Sequence, residues 1–367
     1  MKIAFNNLKA QWDLIKDTCK EQIDELFERS NFILGDAVQK FEQLFATYTQ
    51  TKYAVGVSNG TDALKLAAQA LDLKGSIAVV IPANTFVSTI LGLEQAWPNA
   101  EFKLVDCNEY HQIDTSKVEE YVAQGRHKFD HMVIIPVHLY GYVCDMEKIN
   151  LIAENYNCLV LEDASQAHGA KFKDTLVGSL GKVAAFSLYP GKNLGAAGDA
   201  GVVTTSDPEV CGRLLLLRNI GSTKKYHHVV KGHNHRLDTL QAIILKEKMN
   251  YIEEWNNNRR EVVKKYEELI TNKLITLPRT PTDILPVHHI YPVLVDDRPK
   301  FQKHLDENDI QHGIHYPILI EEMGMYEAST PNERALDYSK RMVSLPIHPF
   351  MTDEEISYLC TTINNYK

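Results

Sequence analysis

The chain has no closely spaced cysteines. Its six thiols, Cys19, Cys107, Cys144, Cys158, Cys211 and Cys360, are scattered and form no C-x-x-C pair. They suggest no disulfide framework, and single thiols of this kind belong to a reducing compartment, with Cys158 and Cys211 read as core filler. The chain also lacks any apolar run long enough to span a bilayer, so a membrane-crossing helix is not expected. Its first residues, Met1-Lys2-Ile3-Ala4-Phe5-Asn6-Asn7, have no long apolar core behind the lysine and do not read as a signal peptide. Nor is there an excess of positive charge: 39 Lys and Arg stand against 48 Asp and Glu, a net charge of -9. A phosphate backbone is bound by basic surface, so nucleic acid is not the expected partner. A small anionic substrate is still compatible, because one pocket can be positive on an acidic protein. Repeats and low-complexity tracts are absent. The expected location is the cytoplasm, away from membranes.

What remains is an ordinary globular composition, with 44% hydrophobic and 24% charged residues in 367. That length allows a large core and about two to three domains. Over the first two thirds, helical and strand-like patterns alternate. Leu14, Ile15, Cys19, Ile23, Leu26 and Phe27 give helical spacing over 13–28, and Phe41, Leu44 and Phe45 do so over 38–48. Short apolar runs at 53–57, 77–81, 102–105, 131–135, 158–161, 184–187 and 201–205 read as strands. Such an alternation predicts an α/β fold: a mostly parallel sheet between helices, with ligands beyond the carboxyl ends of the strands. Ser58-Asn59, Asn84-Thr85, His138 and Asp163 stand at those ends. Residues 237–269 read as one long helix. Beyond about Leu274 the chain turns Pro-rich, and 301–307 and 352–364 look helical, the second behind a Thr-Asp-Glu-Glu cap. We therefore expect a large domain over 1–245, then a connecting helix and a smaller α+β domain over 246–367.

Four features stand near the strand ends. Lys192 lies in Tyr189-Pro190-Gly191-Lys192-Asn193-Leu194-Gly195, among glycines that let the backbone pass close to something. It reads equally well as a loop lysine or as the Schiff-base partner of a cofactor aldehyde. Ser58-Asn59-Gly60-Thr61-Asp62 joins a strand to a helix start, where free N–H groups can receive a phosphate; an ordinary capping turn looks the same. Asp163 ends an apolar strand, and a buried carboxylate needs a partner, which a protonated pyridine nitrogen would supply. A helix cap or a metal ligand is the alternative, although Glu162, Asp163 and His168 lack zinc spacing. Phe86 can stack on a flat ring or simply pack in the core. A stacking ring, an acid, a phosphate turn and a lysine are together the contacts that pyridoxal phosphate needs.

With these in place, the sequence resembles the DegT–StrS-type nucleotide-sugar aminotransferases, within fold type I of the pyridoxal-phosphate enzymes. The resemblance runs through Phe32-Ile33-Leu34-Gly35, Phe41-Glu42, Ser58 to Leu64, Pro82 to Phe86, Pro136 to Gly141, Glu162 to Gly169, Phe186 to Gly195, Gly198 to Gly201 and His315-Tyr316-Pro317. It implies a seven-stranded, mostly parallel large domain with a smaller C-terminal α+β domain. By resemblance, Lys192 would form the Schiff base and Asp163 would pair with the pyridine nitrogen. Gln166 would lie near the ring hydroxyl, and Phe86 would stack on the ring. Gly60, Thr61 and Ser187 would hold the phosphate. The segment Gly232 to Asp238 resembles a family loop that enters the neighbouring subunit's site, so Asn234 would touch the phosphate across a homodimer interface. A lysine at 192, where related dehydratases carry histidine, implies transamination, with L-glutamate as donor and a keto sugar on a nucleoside diphosphate as acceptor.

The stretch Arg218 to His228, with Tyr226, and the pair His315-Tyr316 resemble the substrate-binding parts of enzymes acting on 3-keto-6-deoxy sugars more than on 4-keto sugars. The chain departs from that pattern at Ile220, where Tyr is usual, and at His235, where Ser is usual. An aminotransferase for a keto-cyclitol is an alternative with similar motifs. A non-catalytic binding protein is another, against which Lys192, Asp163, Gln166 and Ser187 stand intact.

Overall fold

The computed structural model describes residues 1–326 and 332–367. Seven strands form its central sheet: β1 (Tyr53–Val57), β2 (Ile77–Pro82), β3 (Glu101–Val105), β4 (His131–Ile134), β5 (Leu159–Asp163), β6 (Val183–Ser187) and β7 (Gly201–Thr205). Their order is β1-β7-β6-β5-β4-β2-β3. Every pair is parallel except those made by β7, which runs antiparallel to both β1 and β6. Neighbouring residues of one strand serve opposite cores. Ala78 and Val80 pack on one face while Val79 and Ile81 pack on the other, and Ala184 and Phe186 oppose Val183 and Ala185 in the same way. Both faces are therefore covered, which is why these strands are continuously apolar.

In the large sheet's half of the chain, the covering helices are α1 (Leu8–Arg29), α2 (Asp36–Tyr48), α3 (Gly60–Ala70), α4 (Ser88–Ala96), α5 (Thr115–Gly125), α6 (Met146–Tyr156), α7 (Pro208–Arg218) and α8 (Thr239–Lys248). Capping sets where several of them start. Asn59, Asp114, Asp145 and Asp207 each accept a backbone N–H of the first turn of α3, α5, α6 and α7.

The long helix expected over 237–269 is two helices, α8 and α9 (Ile252–Leu269), separated by Met249, Asn250 and Tyr251. No Gly or Pro marks the break. It follows from tertiary contacts: buried Lys248 turns its amine to Gln11 Oε1 at 2.9 Å and to the Gly195 carbonyl at 2.6 Å. Tyr251 stacks on Trp255 with ring centroids 5.7 Å apart. Position 245/246, the expected domain boundary, falls within α8.

The C-terminal part carries α10 (Arg298–Glu307), α11 (Glu333–Arg341) and α12 (Asp353–Asn364) around a small antiparallel sheet. That sheet is β8 (Ile275–Thr276), β9 (Tyr291–Val295) and β10 (Met342–Leu345), in that order. Thr352 and Glu355 form the capping box expected before α12. The small core contains Tyr266, Val293, Phe301, Val343 and Leu359 and, from the other end of the chain, Ile3. Ile3 arrives there by pairing with Ile310, a long-range contact that local pattern does not reveal. Among the described residues, no helix is long and apolar enough to cross a membrane.

Candidate active site

A cavity of about 960 Å³ opens beyond the carboxyl ends of the parallel strands. Lys192 and Asp163 both line it. Asp163, 3% exposed, ends β5 and keeps its carboxylate oriented by two donors. The Thr89 hydroxyl donates to Oδ2 at 2.8 Å, and the Ser165 N–H donates to Oδ1 at 3.1 Å. Lys192 follows β6 in the turn closed by its own N–H on the Tyr189 carbonyl at 2.9 Å. Burial pushes its ammonium down from 10.5 to about 8, against the attraction of Asp163, which pulls it up. An amine with this pKa is partly neutral near physiological pH and therefore nucleophilic.

The imidazoles around Lys192 carry no competing charge. Burial is the main reason that His168 falls to about 3 and His315 to about 4, with the Lys192 charge adding to the effect in both; His289 lies well below its ordinary value. For His168 and His289 the tautomer follows from their partners. His168 Nε2 donates to the Ser187 carbonyl at 2.9 Å. Asn193 gives its N–H groups to the Val287 carbonyl and to Asn256, both at 2.9 Å, so its Oδ1 accepts from His289 Nδ1 at 3.2 Å.

One end of the cavity suits a phosphate. Helix α3 begins at Gly60, and its first-turn N–H groups point out of the helix. The floor there is closed tightly: a Cβ at Gly60 would lie 2.5 Å from Ser187 Cβ. Thr61 and Ser187 line the same cavity. Gln166, 4% exposed, is fixed at both ends of its amide. Its Oε1 accepts from the Tyr140 N–H at 2.6 Å, and its Nε2 donates to the Tyr316 hydroxyl at 3.2 Å. Phe86, 48% exposed, turns its ring to the cavity and lies 5.2 Å from the Tyr316 ring. Phe86 is thus a cavity wall, not core filler.

Behind Asp163, Glu162 is fully buried and accepts from the N–H groups of Gly178, Leu180 and Gly181 at 2.9, 2.9 and 2.7 Å. His138 Nδ1 accepts from Cys144 N–H at 3.2 Å, so its Nε2 carries the proton that Glu162 receives at 3.1 Å. This buried pair locks the end of β5 and hence the direction of Asp163.

Of the residues expected at the site, Gly60, Thr61, Phe86, Asp163, Gln166, Ser187, Lys192, His315 and Tyr316 meet in this cavity. Asn234 and Tyr226 do not line it. Asn234 is exposed and pairs with Asn219, and Tyr226 is 83% exposed at the tip of the hairpin 222–228. Thr89, His289 and Asn193 were not anticipated. Thr89 lies one turn past Thr85 on a helix start, and that spacing was the one available signal.

A half-buried lysine sharing one cavity with an oriented carboxylate, beside a helix N-terminus and beyond the ends of parallel strands, fits a type I aminotransferase fold. The model of the DegT/DnrJ/EryC1/StrS aminotransferase family matches residues 13–364, and the chain belongs to that family. It is 43% identical to the dTDP-3-amino-3,6-dideoxy-alpha-D-galactopyranose transaminase of Aneurinibacillus thermoaerophilus, over 95% of this chain and 94% of that protein. It is 35% identical to the dTDP-3-amino-3,4,6-trideoxy-alpha-D-glucose transaminase of Streptomyces venezuelae, over 95% and 92% of the two chains. The crystal structure of S. venezuelae DesV in complex with a ketimine intermediate superposes with a TM-score of 0.93 at 33% identity, covering 100% of this chain and 98% of that one.

Proposed function

We propose that this enzyme uses pyridoxal phosphate to move the amino group of L-glutamate to a keto-6-deoxyhexose carried on a nucleoside diphosphate, with carbon 3 receiving the nitrogen. The observation that carries the reading is the Lys192 amine, held at about 8 in a cavity shared with Asp163. The two curated relatives above, both named for 3-amino sugars of dTDP, support the acceptor class and the position.

The residues present fit the cofactor. The tight cradle of Gly60 against Ser187, at the head of α3, suits the phosphate, and Phe86 suits one face of the ring. When bound, pyridoxal phosphate supplies a carbonyl that accepts and returns the amino group, and a ring that withdraws electrons. The protein does the rest. The Asp163 carboxylate, aimed by Thr89 and Ser165, keeps the ring nitrogen protonated. Gln166, clamped between Tyr140 and Tyr316, would offer a fixed amide to the ring. Lys192 Nζ would take the proton from the donor's α-carbon and give it back, and its lowered pKa suits both directions.

We also infer a homodimer with shared sites. Asn234 and Tyr226 are exposed and lie outside their own chain's cavity, as residues serving a second copy must.

The test is incubation with glutamate and a panel of dTDP-linked 3-keto and 4-keto 6-deoxyhexoses, the amination site being read by NMR. Amination at carbon 3 is expected. Turnover of a free keto-cyclitol with no affinity for nucleoside diphosphates would sink the proposal. A second expectation concerns the cradle. Gly60→Ala forces a methyl into Ser187 and weakens cofactor retention about tenfold or more, which equilibrium dialysis of pyridoxal phosphate measures. Retention equal to wild type would remove Gly60 from the phosphate site.

A further inference from the structure

Residues 3–7 form a strap along one wall of the cavity. One end is tied to the small domain: Ile3 N–H donates to the Asp309 carbonyl at 2.9 Å, and Gln311 N–H donates to the Ile3 carbonyl at 3.0 Å. Gln311 Oε1 accepts from Phe5 N–H at 2.8 Å. The other end is tied to the lysine turn: Asn6 Nδ2 donates to the Gly191 carbonyl at 3.4 Å, beside Lys192. Asn7 then caps α1 by accepting from Ala10 N–H at 3.1 Å. Both Phe5 and Asn6 line the cavity.

Phe5 extends a run of rings. Its ring stacks on His315, with centroids 5.8 Å apart and planes at 24°. His315 lies 5.7 Å from Tyr316, and Tyr316 lies 5.2 Å from Phe86. The His315 ring is held from behind by a 2.9 Å hydrogen bond between Nδ1 and the Ser344 hydroxyl. The run therefore leads from Phe86, where a cofactor ring stacks in the proposed function, to Phe5 on the strap. The carbon that receives nitrogen must come to Lys192, and the strap touches the residue next to that lysine. On the sugar-nucleotide reading, the part of the acceptor nearest that lysine, and so nearest the strap, is its sugar.

We propose that Phe5 is a specificity-determining residue for the acceptor, its ring and that of His315 forming the wall against which the apolar face of the 6-deoxy sugar rests. The proposal rests on the sugar-nucleotide reading above. A flat ring suits a sugar face of C–H groups and gains little from glutamate, whose ends are charged. Two tethers hold the ring in place before substrate arrives, so little ordering cost is added on binding.

The test uses the holoenzyme with glutamate and a dTDP-linked 3-keto-6-deoxyhexose, with dTDP alone as a binding probe. Phe5→Ala is expected to raise KM for the sugar nucleotide about tenfold or more, with kcat nearly unchanged. Phe5→Tyr should behave as wild type. The rate of the glutamate half-reaction and the affinity for dTDP, read by calorimetry, should both stay within about twofold of wild type. Phe5→Leu, which keeps most of the packing but not the flat ring, should raise KM in the same direction, and it serves if Phe5→Ala fails to fold. An unchanged KM in both variants overturns the proposal. So does an equal loss in the glutamate half-reaction, which would make the strap merely structural, or an equal loss of dTDP affinity, which would assign the ring to the nucleotide. Wild-type enzyme that exchanges the glutamate α-proton yet aminates no nucleotide-linked sugar overturns the functional reading and this proposal together. Amination by wild type with Phe5→Ala unaffected overturns this proposal alone.

Discussion

Lys192→Ala abolishes transamination and leaves the fold intact. The loss should reach roughly 10⁴-fold or more, because one side chain supplies both the nucleophile and the proton carrier. The variant should also lack the visible absorption band that wild type gains on addition of pyridoxal phosphate. The fold survives because the turn around Lys192 is held by its backbone and by neighbours: Lys192 N–H to Tyr189, Ala196 N–H to Leu188, and Lys248 to Gly195. Removing the ammonium also leaves buried Asp163 without its nearby positive charge, so the melting temperature should fall while the fold holds. The same residue sets a pH profile. Its pKa is lowered to about 8, so the fraction of neutral amine rises as pH increases through 8 and is nearly complete well below 10.5. The rate at which cofactor-free protein condenses with pyridoxal phosphate should follow that rise and level off above about 9. A rate that climbs steadily to 10.5 would mean an ordinary exposed lysine. Full turnover by Lys192→Ala would end the aminotransferase mechanism proposed here.

Asp163→Asn is expected to lower kcat about a thousandfold with little change in melting temperature. The amide oxygen can still accept from the Ser165 N–H, and the amide N–H can donate to a reoriented Thr89 hydroxyl, so the geometry is kept, but the charge opposite the ring nitrogen is gone. Removal of one oriented electrostatic partner in a water-poor site costs on this order. A second readout needs no turnover. Asp163 attracts the Lys192 ammonium and pulls its pKa up. Without that charge, burial acts alone, so the lysine's pKa falls further and the condensation profile shifts to lower pH. An unshifted profile would show that the two groups do not feel each other. A kcat near that of wild type would remove Asp163 from the role of ring-nitrogen partner.

Much of this site was legible because the strand ends are legible. A buried parallel strand reads as a continuous apolar run, and the polar residues grouped at its carboxyl end mark the sheet's ligand-binding edge. Asp163 after Leu159 to Glu162, the Asn59-Gly60-Thr61 turn after β1, and Ser187 at the end of β6 all follow that rule. Helix starts were legible for a similar reason: a side-chain oxygen before a helix satisfies free N–H groups whatever the rest of the protein does, as Thr352 does for α12. The split between α8 and α9 was not legible. Its cause is a lysine amine reaching Gln11 and Gly195, which are remote in sequence.

The sequence by itself determined the alternation of strands and helices, the edge of the sheet where chemistry occurs, and the residue types assembled there. These depend on local spacing and on chemical identity, and both are written along the chain. Only the tertiary structure decided how acidic those groups are and what surrounds them. Lys192 falls to about 8 because the fold buries it, and Asp163 keeps its direction because Thr89, the Glu162–His138 pair and the backbone converge on one strand end. Likewise Phe5 is an unremarked residue near the N-terminus until Ile3 pairs with Ile310 and brings its ring against His315. Desolvation and convergence belong to the packed whole, and no window of sequence contains them.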